Sequence, residues 1–262
     1  MPKDHVYRSL TPDARGFYPY SEDDLSVWSE LFTRQMDALQ GIMTPDYFAG
    51  VAALGLTAAE VPQVKSIDSR LGALTGAGVE GVPALIPPSR FFRLLADRRF
   101  PVATFLRRRD EMDYIEEPDL FHEVFGHCPL LTEPAYADFI ERFGKTALAL
   151  DKGYAWHLFR LFWFTVEFGL IRTTDGLRGY GAGIASSPAE AANAMGDSLK
   201  QPFDLLTIFR TPYRIDIVQP VYFVIDRFED LAAALDADIA GLIDRAKALG
   251  DLPPLFEAKQ AG

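Results

Sequence analysis

Apolar positions recur at helical spacing through most of the chain. Leu25, Trp28, Leu31, Phe32, Met36 and Leu39 form one stripe, opened by Ser21 as an N-cap and closed by Gly41. The same spacing predicts shorter helices at about 45–54, 60–71 and 89–97, and a long one at 134–150. It predicts another over Tyr154–Arg172 and two more at Pro188–Leu199 and Phe228–Leu249. Strand-like runs are scarce: Val102–Leu106, and Ile215–Val224 broken by Pro220. The expected class is mainly α with a small β element. No break or repeat interrupts the pattern, so residues 1–262 are read as one domain. An ordered core is expected over about 13–249, with a frayed polar tail at 255–262.

Composition narrows the partners. Apolar content of 48% and charged content of 24% are ordinary for a globular protein. A net charge of −11 argues against nucleic acid or an anionic membrane. Arg107-Arg108-Arg109 is the only basic run and is too short for a nucleic-acid tract. The single cysteine, Cys128, excludes an internal disulfide and fits a reducing compartment. The first ten residues carry no apolar signal region, and no window reaches the ~20 apolar residues of a membrane span. A cytoplasmic location is expected.

Chemistry concentrates in two segments. Residues 118–131 read PDLFHEVFGHCPLL, with His122 and His127 five apart. On an ideal α-helix that offset leaves the two side chains about 140° apart, unlike the i, i+4 pair of zinc proteases. Gly126 and Pro129 are breakers, so the expectation is a helix ending between the histidines. Glu167 stands in WFTVEFGL, an acid in an apolar run. Alone it reads as a helix-buried salt bridge; beside two histidines it reads as the third donor of a 2-His-1-carboxylate site. Such a site leaves one side of the metal open and is typical of non-haem Fe(II) oxygenases. Two other readings stay open: a zinc hydrolase with Glu123 as general base, and a non-catalytic metal-binding fold. Cys128 reads as a soft ligand or, more simply, a small buried apolar residue.

These two segments, together with YGAGIASS at Tyr180–Ser187, resemble the catalytic domain of the tetrahydropterin-dependent aromatic amino acid hydroxylases. The likeness runs from about Asp13 to about Leu249. It implies a single catalytic domain of that type, with Fe(II) held by His122, His127 and Glu167 and a tetrahydropterin as co-substrate. It implies hydroxylation of L-phenylalanine to L-tyrosine with O2, tryptophan being the alternative substrate. By the same likeness, Leu85, Phe91 and Glu123 contact the pterin. Phe162 joins them, although the family usually carries a tyrosine there. Arg107 takes the amino acid's carboxylate, Ser186 orients the first histidine beside the substrate, and Trp163 and Val224 line the substrate side. Asp119 is a second candidate for the histidine-orienting role. Small-molecule partners only and a monomer are expected.

Overall fold

A computed structural model describes residues 9–257 except 84, 114 and 116. Helix α1 (Glu22–Ala38) begins where its sequence says it should. Ser21 Oγ accepts from Asp24 N–H at 3.1 Å, and the Asp24 carboxylate accepts back from Ser21 N–H at 2.8 Å, a capping box. Helices α2 (Pro45–Ala53) and α3 (Val64–Leu74) follow. Strands β1 (Gly78–Val82) and β2 (Arg99–Ala103) pair in parallel, joined through α4 (Pro88–Ala96). Helix α5 (Pro134–Ala149) packs across α4, where a Cβ on Gly144 would fall 2.2 Å from Ala96 N. Only glycine allows that crossing.

After α6 (Ala155–Phe162) the chain forms the hairpin β3 (Leu170–Thr173) and β4 (Gly176–Gly179), then α7 (Ala182–Ser186), α8 (Pro188–Met195), β5 (Leu199–Pro202), α9 (Leu205–Arg210) and β6 (Val221–Ile225). The four strands lie in the order β4-β3-β6-β5, with only the hairpin antiparallel. Helices α10 (Glu229–Ala234) and α11 (Ile239–Leu249) complete the chain. One continuous cluster of buried apolar side chains joins these elements. The mainly helical class with a small sheet is the observed one. No helix among the described residues is long and apolar enough to cross a membrane.

Several boundaries differ from the sequence expectation. The helix expected at Tyr154–Arg172 ends at Glu167, because Leu170–Thr173 leaves it to pair with β4 and β6. The helix expected to reach Leu199 stops at Met195, and Leu199 starts an edge strand. Phe228–Leu249 is two helices, the second opened by Asp238, whose carboxylate accepts from Gly241 N–H at 3.0 Å. Residues 215–220 are loop, since Pro220 has no N–H to offer a ladder. The frayed tail lies outside the described residues from 258 onward; 255–257 is tied back, Glu257 O accepting from Arg214 at 3.0 Å.

Candidate active site

Both histidines stand on one unbroken helical turn. Phe121–His127 is a π-helix, in which residue i bonds to i+5. Residues five apart therefore share one face of the helix, and the two imidazoles meet edge-on at 4.9 Å. The expectation that the helix ends between His122 and His127 is overturned: the wider turn closes the angle instead. Gly126 does not stop the helix. It lets α7 approach, where a Cβ would lie 3.0 Å from Ala182 O. Helix α6 also widens, into a π segment over Trp163–Glu167, and Phe168 N–H donates to Trp163 O at 3.0 Å. That distortion ends the helix and leaves Glu167 facing the histidines.

Three donors converge. His127 Nε2 lies 3.2 Å from His122 Nε2 and 3.2 Å from Glu167 Oε1, and His122 Nε2 lies 3.5 Å from Glu167 Oε2. Donors bound at about 2.1 Å and at right angles stand about 3 Å apart, so the triangle fits one face of a metal. A second trio, His122, Glu123 and His127, also keeps its ligand atoms within 4.8 Å of one another. Glu123 is the poorer donor there, its Oε2 being 3.8 Å from His127 Nε2.

The neighbours prepare His122 as a ligand. Ser186 Oγ donates to Ala182 O at 2.9 Å, so toward His122 Nδ1, also at 2.9 Å, it must accept. In the neutral imidazole the proton then sits on Nδ1 and the Nε2 lone pair faces the triangle. His127 Nδ1 is buried without a partner, and its ring lies against Phe100 at 4.5 Å. Burial raises the Glu167 carboxyl, but His127 and His122 outweigh it and hold the group well below the usual range. Burial lowers His122, yet Glu167 carries it up to about 9. Burial pushes Glu123 up to about 8. An anionic carboxylate with two imidazoles is a donor set suited to Fe(II).

Asp119 holds the backbone, not the ring, of His122. Its Oδ1 accepts from His122 N–H at 3.0 Å. The same carboxylate takes both arms of Arg107, at 2.9 and 2.8 Å, and Arg107 N–H at 2.9 Å. Both side chains are buried, so the pair pins the loop before the π-helix to its first turn. Arg107 still borders the cavity.

A cavity of about 650 Å³ opens over the triangle. The triangle, Glu123, Ser186 and Arg107 all border it, as do Leu85, Phe91, Phe162 and Trp163. Phe162 meets Phe91 edge-on at 5.2 Å. Leu85 is 73% exposed at the rim. Val224 is not brought there: it is buried on β6 beside Leu170, and the cavity wall is built instead from Ile215 to Val218. Cys128 is buried and unbridged, its Sγ 3.4 Å from Glu123 O, outside the triangle.

Sequence reasoning missed one polar group. Glu190 borders the cavity, nearly buried, accepting from Gln219 N–H at 3.0 Å and Tyr222 O–H at 2.5 Å. Gln219 in turn accepts from Trp163 Nε1–H at 2.9 Å. The available signal was that of Glu167: a lone acid in an apolar run, here PAEAANAM.

A profile of the family described as "Biopterin-dependent aromatic amino acid hydroxylase" matches residues 16–247. The phenylalanine-4-hydroxylase of Pseudomonas aeruginosa is 47% identical over 256 residues, 97% of this chain and 98% of that protein. That of Vibrio cholerae is 43% identical over 256 residues, 97% of this chain and 89% of its own. The solved phenylalanine hydroxylase of Legionella pneumophila superposes with a TM-score of 0.93 at 45% identity, covering 95% of this chain and 100% of that one. The Chromobacterium violaceum phenylalanine hydroxylase, solved with bound oxidised Fe(III), gives 0.89 at 38% identity, covering 98% and 94%.

Proposed function

The chain belongs to the biopterin-dependent aromatic amino acid hydroxylase family, and we propose on that premise that it is a phenylalanine 4-monooxygenase. It takes L-phenylalanine, O2 and a tetrahydropterin and yields L-tyrosine. The observation that carries the reading is the convergence of His122 Nε2, His127 Nε2 and the two Glu167 carboxylate oxygens, at 3.2–3.5 Å, beneath an aromatic-walled cavity. Neither a zinc hydrolase using Glu123 nor a tryptophan hydroxylase is favoured, since the relatives are phenylalanine hydroxylases.

In this reading His122, His127 and Glu167 hold Fe(II) from one side, and the cavity side stays open. Iron and the reduced pterin together supply the two-electron activation of O2. Ser186 keeps His122 in the ligating tautomer. Phe91 and Phe162 form a flat apolar wall for the pterin, with Leu85 at the rim and Glu123 as a polar contact. Arg107, its plane fixed by Asp119, attracts the amino acid's carboxylate. Trp163 and Phe168, in contact with each other at 4.7 Å, form an apolar wall beside the aromatic ring and keep water from it. The catalytic domain is read as one unit. The buried, unbridged thiol of Cys128 supports a reducing cytoplasmic setting, and the net charge of −11 supports small-molecule partners. A monomer is the expected species in sedimentation.

The test is tyrosine formation with added Fe(II) and reduced pterin. His122→Ala, His127→Ala and Glu167→Ala should each abolish it and lose iron on desalting. Full turnover in any of the three would end the reading.

A further inference from the structure

Two of the chain's three tryptophans share one stack with a tyrosine. Trp163 borders the cavity, one helical turn before Glu167. Tyr213 lies against it at 4.6 Å between ring centroids, inclined 22°. Trp156 continues the file at 5.6 Å and 16°, and is 55% exposed. The file therefore runs from the candidate metal site to solvent with each ring in contact with the next.

We infer that Trp163, Tyr213 and Trp156 form an escape route for oxidising equivalents, passing electrons inward when oxygen is activated but no amino acid is hydroxylated. The inference rests on the oxygenase reading above. Its logic is the choice of rings. The other aromatic walls of the cavity, Phe91, Phe100, Phe159, Phe162 and Phe168, carry phenyl rings, which are far harder to oxidise than indole or phenol. Among the described residues, Trp163 and Tyr213 alone give the cavity such rings. Packing by itself would not require an indole at the outer end, where about half of it stays wet.

The surroundings suit loss of an electron at each position. Trp163 Nε1–H donates to Gln219 Oε1 at 2.9 Å, an acceptor for the developing positive charge. Tyr213 is partly exposed, and its phenolic proton leaves together with the electron. The Arg160 guanidinium over Trp156, at 5.7 Å, would oppose a positive indole, but Asp251 binds both its arms at 2.7 and 2.8 Å and offsets the charge. The stoichiometry closes with a thiol as the external reductant. Two electrons moved inward one at a time, with two protons from water, reduce the activated oxygen atom to water. Two thiols restore Trp156, each giving one electron and one proton, and couple to a disulfide.

Two measurements test the route. In the metal-free protein, azide radicals made by pulse radiolysis oxidise exposed indole. The tryptophanyl absorption should pass to a tyrosyl one at a rate independent of protein concentration, and Tyr213→Phe should slow that step at least about tenfold. An unchanged rate in Tyr213→Phe overturns the route, whether or not the chain is an oxygenase. In the iron-loaded enzyme turning over reduced pterin and O2 without amino acid, oxygen adducts should concentrate on Trp156 and fall with added dithiothreitol. Trp156→Phe should shift them to peptides holding Trp163 and His127 and abolish the thiol's protection, with coupled tyrosine formation unchanged. The same adduct pattern and the same protection in both proteins would overturn the route.

Discussion

Ser186→Ala should weaken metal binding without unfolding the protein. The Ser186 hydroxyl spends its hydrogen on Ala182 O and receives His122 Nδ1–H, both at 2.9 Å. Removing it leaves a half-buried N–H without an acceptor, at about 1–3 kcal/mol. It also frees the ring to adopt the other tautomer, in which Nε2 carries the proton and cannot ligate. A free choice between tautomers alone would cost about a factor of two; the lost bond and the loosened ring bring the total to about 10–100-fold in affinity. That factor corresponds to about 1.4–2.8 kcal/mol. The assay is anaerobic Fe(II) or Co(II) titration against a competing chelator, with circular dichroism to check folding. Ser187→Ala is the control. Ser187 Oγ caps α8 by accepting from Glu190 N–H at 3.3 Å, so its loss should cost about 0.5–2 kcal/mol of stability and leave metal affinity alone. A folded Ser186→Ala protein binding as tightly as the parent would refute the tautomer argument. So would an equal weakening in Ser187→Ala.

Arg107→Lys keeps the charge but loses the planar fork that Asp119 orients toward the substrate's carboxylate, so the KM for phenylalanine should rise by the equivalent of about 1–3 kcal/mol; if Arg108→Lys does this instead, the substrate contact is misassigned. Phe162→Tyr should fold and stay coupled, whereas Phe162→Ala should cost about 3–5 kcal/mol in urea unfolding and oxidise more pterin per tyrosine; unchanged coupling in the alanine variant would place the ring's role elsewhere. Burial holds the Glu190 carboxyl at about 7, above its ordinary 4.5, so the folded state grips the proton more tightly than the unfolded chain. The contribution of Glu190 to stability should therefore be fullest below about 4.5 and be lost, by roughly 3 kcal/mol, as pH rises from there to about 7. Glu190→Gln should flatten that slope, and an identical slope in both proteins would show that another group sets it.

Much of this was legible in sequence, and the failures have physical reasons. Helix α1 could be read because its stripe coincides with the Ser21–Asp24 box. The donors could be read because a lone acid in an apolar run and paired histidines are costly to bury without purpose. Their backbone could not: an i→i+5 turn has no propensity signal, so Gly126 looked like a stop when it is a contact with Ala182. Strands β1 and β5, GVEGV and LKQP, carry the glycine, lysine and proline that strands usually avoid, and pairing alone makes them strands. Val224 was chosen from a motif, but the wall facing the cavity is the loop Ile215–Val218, which has no periodicity to read. Glu190 and Gln219 touch only through the packing of α8 against the segment before β6.

The most direct test of the central claim follows the oxygen atom. The iron-loaded protein is given phenylalanine, reduced pterin and isotopically labelled O2 in unlabelled water, and tyrosine is examined by mass spectrometry. The account predicts one labelled atom in the ring hydroxyl of each tyrosine, and no tyrosine after metal removal or in Glu167→Ala. Label arriving from water, or tyrosine formed at full rate without metal, would contradict it.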